Sequence, residues 1–181
     1  MEVKKFKRKD SYEKLIEYAY QKCNVIMFVA REDGLNYEDI KKLNKNMSLI
    51  QEKFSNSFIK ELQRPLWVFH KSQKSLLNKM SDIEFNNQFH IYFYKFTNEI
   101  KAFLLSNPNL FKWLNPEYPE DISFFKNNCC WLYSIAHEEI CDIYVENEKE
   151  FKELKKIGIE FYEKEYRKAS ENELYFENEL K

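Results

Sequence analysis

The segment His137-Glu138-Glu139-Ile140-Cys141 brings together residue types that can do chemistry. An imidazole beside two carboxylates could transfer protons, because His and Glu are the common general acids and bases of enzymes. His137 and Cys141 also have the four-residue spacing of the H-E-x-x-H zinc motif, but Cys replaces the second His and no second paired element follows. The sequence therefore predicts no metal site and no cofactor. It leaves His137, Glu138 and Glu139 as an alternative acid–base site.

The four cysteines do not indicate catalysis or disulfides. A nucleophilic thiol needs partial exposure and a cationic neighbour, and Cys129 and Cys130 lie too close to His137 along one strand to face it across a cleft. Cys141 could approach His137 around the turn, but no oxyanion-hole loop is evident. Adjacent cysteines in a strand point to opposite faces, so Cys129 and Cys130 could not easily bridge each other. Reduced, buried thiols of a cytoplasmic protein are the prediction.

Composition excludes several functional classes. Gly34 and Gly158 are the only glycines, so the glycine-rich phosphate loops of P-loop and dinucleotide-binding proteins are absent. No apolar run approaches the roughly 18–20 residues that span a bilayer. The basic N-terminal segment leads into no secretory apolar core, which predicts a cytoplasmic protein without membrane contact.

Helix signals are spread along the chain. A helix is predicted after each of four capping residues: Asp10 (with Glu13 in a capping box), Asn36, Thr97 and Asn147. The apolar spacing after Asn36 continues toward Leu62 and stops before Pro65, with a bend or break at residues 55–57. Gly158 stands where a helix C-terminus favours a left-handed residue.

Six aromatic or β-branched segments predict strands: NVIMFVAR, LWVFHK, FHIYFYKF, DISFFK, CCWLYSIA and ICDIYV. The first is expected to be a buried central strand, and the last three an antiparallel meander with His137–Glu139 as its final turn. Strict alternation over residues 129–136 would place Trp131 and Tyr133 on one face and Leu132 and Ser134 on the other.

These elements predict an α+β fold with a largely antiparallel sheet of about six strands, covered by helices, and a C-terminal helix. We expect residues 1–181 to form a single domain, with residues 1–9 and 170–181 flexible.

Charge is unevenly distributed along a chain of net charge −1. Residues 41–101 are rich in lysine, whereas residues 117–153 are acidic. Solvated helix faces would explain this pattern, but a molecule built to dock on a charged surface would show it too. The predicted contact residues are Glu117, Glu120, Asp121, His137, Glu138, Glu139 and Asp142.

Two other binding modes have weaker support. The segment QFHIYFYKF could stack nucleic-acid bases, but it lacks the glycines and arginines of RNA-recognition motifs, so direct nucleic-acid binding is not expected. A small ligand or nucleotide could lie in a pocket lined by Trp67, Tyr92, Tyr94 and Trp131.

The segments PEDISFF and CWLYSIAHEE, followed by a helix ending KKIGIEF, resemble a group of small proteins from low-GC Gram-positive bacteria and their mobile elements. Some of those proteins carry the label "stage III sporulation protein AH". The resemblance covers about residues 113–161 and implies no mechanism. It implies that Pro119–Asp121 and Trp131–Glu138 belong to one structural unit.

The sequence thus favours a macromolecular interaction protein over an enzyme. The expected role is that of an inhibitor, immunity or counter-defence protein of bacterial or phage origin. Its expected partner is a protein with a basic surface, such as a nuclease or a nucleic-acid-handling complex.

Overall fold

The structure is a computed structural model that describes residues 1–63 and 88–167. In chain order the elements are β1 (Val3–Phe6), α1 (Ser11–Lys22), β2 (Val25–Arg31), α2 (Tyr37–Lys53), β3 (Phe58–Leu62), β4 (Phe89–Lys95), α3 (Asn98–Leu105), β5 (Glu120–Lys126), β6 (Cys129–Ile135), β7 (Ile140–Ile143), α4 (Glu148–Lys156) and β8 (Ile159–Phe161). The α+β fold is confirmed. None of the helices formed by these residues combines the length and apolarity needed to cross a bilayer.

Six strands form one antiparallel sheet in the order β3-β4-β2-β5-β6-β7, and β1 pairs with β8 in a separate two-stranded sheet. The predicted central strand is confirmed as β2, which lies between β4 and β5. Its residues alternate between two apolar clusters, with Ile26 and Phe28 in one and Met27 and Val29 in the other. Burial on both faces explains why this strand is apolar at nearly every position.

Three of the four predicted helix caps are made by side chains. Asn36, Thr97 and Asn147 each accept a hydrogen bond from the backbone N–H three residues later. Asp10 precedes α1 but its side chain caps nothing there; it pairs instead with Arg8 and Lys14. The predicted capping box of α1 is therefore wrong, because two nearby cations take the carboxylate.

The second helix is shorter than predicted. It ends at Lys53, a 3-10 turn covers Ser55–Ser57, and Phe58–Leu62 forms the edge strand β3. Phe54 and Phe58 stand four residues apart and continue the helical spacing, but Phe58 pairs with Tyr94 of β4. Tertiary pairing with an aromatic strand overrides a local periodicity here.

The N-terminal segment also differs from expectation. Residues 3–6 were expected to be part of a flexible arm, yet they form β1, and Val3 is buried in the main core. Gly158, at a φ of 96°, ends α4 as predicted and lets the chain turn into β8. The predicted strand LWVFHK and the tail 170–181 lie outside the described residues.

A β-bulge breaks the predicted alternation in β6. Phe124 pairs with Leu132 whereas Phe125 pairs with Cys130, so Trp131 is an extra residue opposite β5. Trp131 and Leu132 consequently lie in the same cluster, and Cys130 and Tyr133 lie in the other. The thiols are unbridged, but Cys129 is exposed, so the prediction of buried cysteines holds for the other three only.

Candidate functional site: a carboxylate corner at one end of the sheet

Antiparallel pairing brings three chain segments together at one end of the sheet. The start of β5 lies beside the end of β2, because Glu120 pairs with Val29. The end of β6 lies beside the start of β5, since these two strands also run in opposite directions. Arg31, Glu120, Asp121 and His137 therefore meet, although more than 100 residues separate the first from the last. We call this group, together with Asn115, the carboxylate corner.

Asp121 occupies an irregular position at the start of β5. Its φ of 53° is left-handed, which is uncommon for a non-glycine residue. Met27 pairs with Ser123 and Val29 with Glu120, so two residues of β5, Asp121 and Ile122, face one residue of β2. Bulges of this kind redirect side chains and are frequent beside functional sites.

The bulge directs the Asp121 carboxylate toward the end of β6. Its Oδ1 accepts a hydrogen bond of 2.8 Å from the backbone N–H of Ala136. Ser134 Oγ donates to the Ile122 carbonyl at 2.8 Å, a second hydrogen bond between the start of β5 and the end of β6. Residues 121–122 thus lie beside residues 134–136.

Glu120 is a buried carboxylate with incomplete hydrogen bonding. It is 3% exposed, and its Oε1 lies 3.2 Å from Arg31 Nε. That approach lacks hydrogen-bond geometry, so within the described part of the chain Oε1 accepts no hydrogen bond although the ions are close. The backbone N–H of Asn115 does hydrogen-bond the carboxylate. Burying an acceptor without a hydrogen-bond donor costs free energy, so the hydrogen bonding of this oxygen is incomplete.

Asn115 carries a second orphaned acceptor in the corner. Its Nδ2 donates to the Arg31 carbonyl at 3.2 Å, while its buried Oδ1 has no hydrogen-bond partner among residues 1–63 and 88–167. Neither Arg31 nor Asn115 was singled out in the sequence. A charged residue closing an otherwise apolar strand was the only available signal for Arg31.

Burial and the neighbouring charge of Glu120 raise the pKa of Asp121 to about 7. The hydrogen bond from Ala136 and the electrostatic influence of His137 and Arg31 oppose that rise. Burial also raises the pKa of Glu120, against the effect of Arg31. Two adjacent buried carboxylates share a single guanidinium, so the corner is short of positive charge.

The turn after β6 carries the exposed part of the site. Ala136–Glu138 form one 3-10 turn, and Glu139 follows in the left-handed conformation at a φ of 55°. His137, Glu138 and Glu139 are all exposed. His137 Nε2 lies 3.7 Å from Glu138 Oε1. The predicted acid–base role of these three residues stays a prediction.

The remaining predicted contact residues lie apart from the corner or are already engaged. Glu117 is exposed and forms an ion pair with Lys42, and Asp142 is partly buried in β7. Tyr92, Tyr94 and Trp131 of the predicted ligand pocket are core residues, 6%, 0% and 2% exposed. Trp67 lies outside the described residues.

Comparison of the chain with protein-family models, with curated proteins and with solved structures finds no match.

Proposed function

We propose that this protein acts by binding another protein through the charged turn formed by residues 136–139. The supporting observation is that this turn is exposed to solvent and is also fixed by a hydrogen bond to a buried residue. Ala136 is anchored by the buried Asp121 carboxylate, while His137, Glu138 and Glu139 project to solvent. A contact segment fixed before binding loses less conformational entropy when the partner arrives.

Glu139 strengthens the argument because a left-handed position normally favours Gly or Asn. A side chain that holds this conformation costs roughly 1–2 kcal/mol. Strained backbone of this kind is concentrated at functional sites, where the side chain is needed despite its cost.

The partner expected to fit this turn is a protein with a basic surface. Several acidic residues of the 117–153 segment are neutralised by neighbouring lysines, as in the pairs Glu117–Lys42, Glu146–Lys126 and Glu148–Lys152. Within residues 1–63 and 88–167, Glu138 and Glu139 form no ion pair with Lys or Arg. The proposed contact is therefore narrower than the acidic segment predicted from the sequence.

The class of function that we propose is an inhibitor, immunity or counter-defence protein of the cytoplasm. The proposal rests on the exposed charged turn and on the uneven distribution of charge along a sequence without a recognisable catalytic motif. A nuclease or another nucleic-acid-handling protein would present the basic surface that such a turn selects.

The test is a comparative capture experiment with two charge-reversed variants. The turn variant carries Glu138→Lys and Glu139→Lys, and the control carries Glu13→Lys and Glu52→Lys, which change net charge equally at other exposed positions. Immobilised wild type, turn variant and control are incubated with lysate of the source organism, and captured proteins are quantified by mass spectrometry. We expect one basic protein to bind wild type and control but not the turn variant, with weaker binding at high salt.

Capture of the same proteins by all three forms would overturn the proposal. Circular dichroism and thermal melts must show that both variants are folded before the comparison is made.

A further inference from the structure

We propose that the carboxylate corner binds one divalent transition-metal ion through Glu120, Asp121 and His137. A ligand atom from each of these three residues lies within 4.8 Å of the others, which is the one such group of His, Cys, Asp and Glu within the described ranges. The chain positions explain why sequence spacing does not reveal the site. Two ligands begin one strand and the third follows the next strand.

The second observation is the unsatisfied oxygen at the site. Glu120 is 97% buried, being 3% exposed, and its Oε1 accepts no hydrogen bond. Asn115, whose backbone N–H hydrogen-bonds the Glu120 carboxylate, has a buried Oδ1 that also lacks a donor among the described residues. Buried oxygens that lack hydrogen-bond donors are the groups a cation can satisfy, because a cation needs acceptors only.

The spacing of the ligands requires only small adjustments. Zinc–oxygen and zinc–nitrogen bonds of about 2.0–2.2 Å place tetrahedral ligands roughly 3.3–3.6 Å apart. The side chain of His137 is about a third exposed and stands on a short turn, so its ring can approach the two buried carboxylates. Asp121 keeps its second oxygen for a metal while Oδ1 stays bound to Ala136.

Charge favours a doubly charged ion over a singly charged one. Glu120 and Asp121 offer two negative charges, and Arg31 supplies one positive charge to Glu120 at 3.2 Å. Arg31 lies beside this same oxygen, Oε1, without hydrogen-bonding it, so its charge would help to orient the carboxylate while Oε1 keeps a lone pair for the metal. The exposed side at His137 leaves room for water ligands.

The ligand types indicate which metals would bind. Two carboxylates and one imidazole suit Mn²⁺ and Zn²⁺, whereas Ca²⁺ and Mg²⁺ prefer oxygen ligands alone. A bound ion would fix His137 and with it the turn 136–139. The metal site does not depend on the existence of a protein partner, so it can be tested on the isolated chain.

The experiment uses chelator-treated full-length protein and Mn²⁺ alone, followed by the loss of the free-Mn²⁺ signal in electron paramagnetic resonance. Mn²⁺ avoids the exposed Cys129 thiol, which a softer ion would bind. We expect one Mn²⁺ per chain and at least tenfold weaker binding in Asp121→Asn and in His137→Ala, since even outer partners of a metal change affinity by 10–100-fold.

The matched control is His90→Ala. His90 Nδ1 lies 2.6 Å from Glu61 Oε1, so it is another histidine–carboxylate contact, away from the corner. We expect wild-type Mn²⁺ binding in this variant. No binding to wild type at millimolar Mn²⁺, or equal binding in all four proteins, would overturn the proposal. Because His137 is exposed, His137→Ala remains informative even if Asp121→Asn fails to fold.

Discussion

The buried carboxylate of Glu150 and the buried carboxylates of the carboxylate corner differ in how they are hydrogen-bonded. Glu150, in the first turn of α4, is 1% exposed and accepts hydrogen bonds from Lys22 Nζ at 2.9 Å, Trp131 Nε1 at 3.1 Å and the Glu146 backbone at 2.6 Å. In the carboxylate corner, Glu120 and Asp121 share one guanidinium, and Glu120 Oε1 accepts no hydrogen bond.

This difference distinguishes Glu150, a structural site, from the corner, a candidate functional site. The donors to Glu150 come from α1, β6 and the segment before α4, so its carboxylate links three parts of the chain. Its hydrogen bonding is complete without a ligand. The two carboxylates of the corner are also buried, but among the described residues Glu120 Oε1 lacks a hydrogen-bond donor and both acids depend on Arg31 for a guanidinium.

The largest expected effect is at the satisfied carboxylate. Glu150→Ala should lower the free energy of unfolding by about 3 kcal/mol, the lower end of the range for breaking a buried ion pair, because Lys22 can still reach solvent. Chemical denaturation of wild type and variant measures the loss. The control Glu148→Ala removes an exposed ion pair with Lys152 and should cost under about 1 kcal/mol. Equal losses in the two variants would remove the distinction between the sites.

The second prediction concerns the pH dependence of stability at the corner. The pKa of Asp121 is raised to about 7 in the folded chain from an ordinary value of 3.8. Its stabilising effect is therefore fully present below about pH 4 and is lost as pH rises toward 7. Between pH 5 and pH 8 this amounts to about 2–3 kcal/mol, at 1.36 kcal/mol per pH unit.

Asp121→Asn keeps an acceptor for the Ala136 N–H but cannot ionise. Thermal melts of both proteins at pH 5 and pH 8, with chelator present, should show a larger loss of stability at pH 8 for wild type. If the stability of the two proteins changes with pH in parallel, Asp121 does not titrate between pH 5 and pH 8. The negative charge of the corner would then be better neutralised than its contacts indicate.

The smallest expected effect lies in the turn. Glu139→Gly should leave stability unchanged or raise it by up to about 1 kcal/mol, because glycine adopts a positive φ without strain. Denaturation midpoints measure this change. The same variant should weaken partner binding if the side chain is needed for contact. A clear loss of stability would show that the Glu139 side chain stabilises the turn. Glu139 would then have a structural role, as Glu150 does.

Much of the fold was predictable from residues whose effects are local. Asn36, Thr97 and Asn147 cap their helices by reaching three residues forward, and the apolar run of β2 identifies a strand buried on both faces. Phe58 and Asp10 were assigned incorrectly because a partner strand and two cations, all invisible to local patterns, decided their roles.

Part of the candidate site was also visible in the sequence, as Glu120 and Asp121 belong to the acidic segment and His137 has the chemistry of an acid–base group. Their joining into one corner was not visible, since it depends on the antiparallel register of β5 with β2 and β6. Arg31 and Asn115 were missed for the same reason. The position of Arg31 at the end of an apolar strand is a weak signal that does not identify its partner, and Asn115 has no signal until the strands are paired.

The sequence by itself determined the α+β class, most helix starts, the central strand and the absence of glycine-rich phosphate loops, because these follow from side-chain type and short-range spacing. Tertiary structure alone decided which carboxylates are satisfied and which are not. Glu150 and Asp121 are chemically similar buried acids, and only their neighbours from distant segments distinguish them. Burial, donors and opposing charge come from the packing of strands and helices, so the physical character of each acid is a property of the fold.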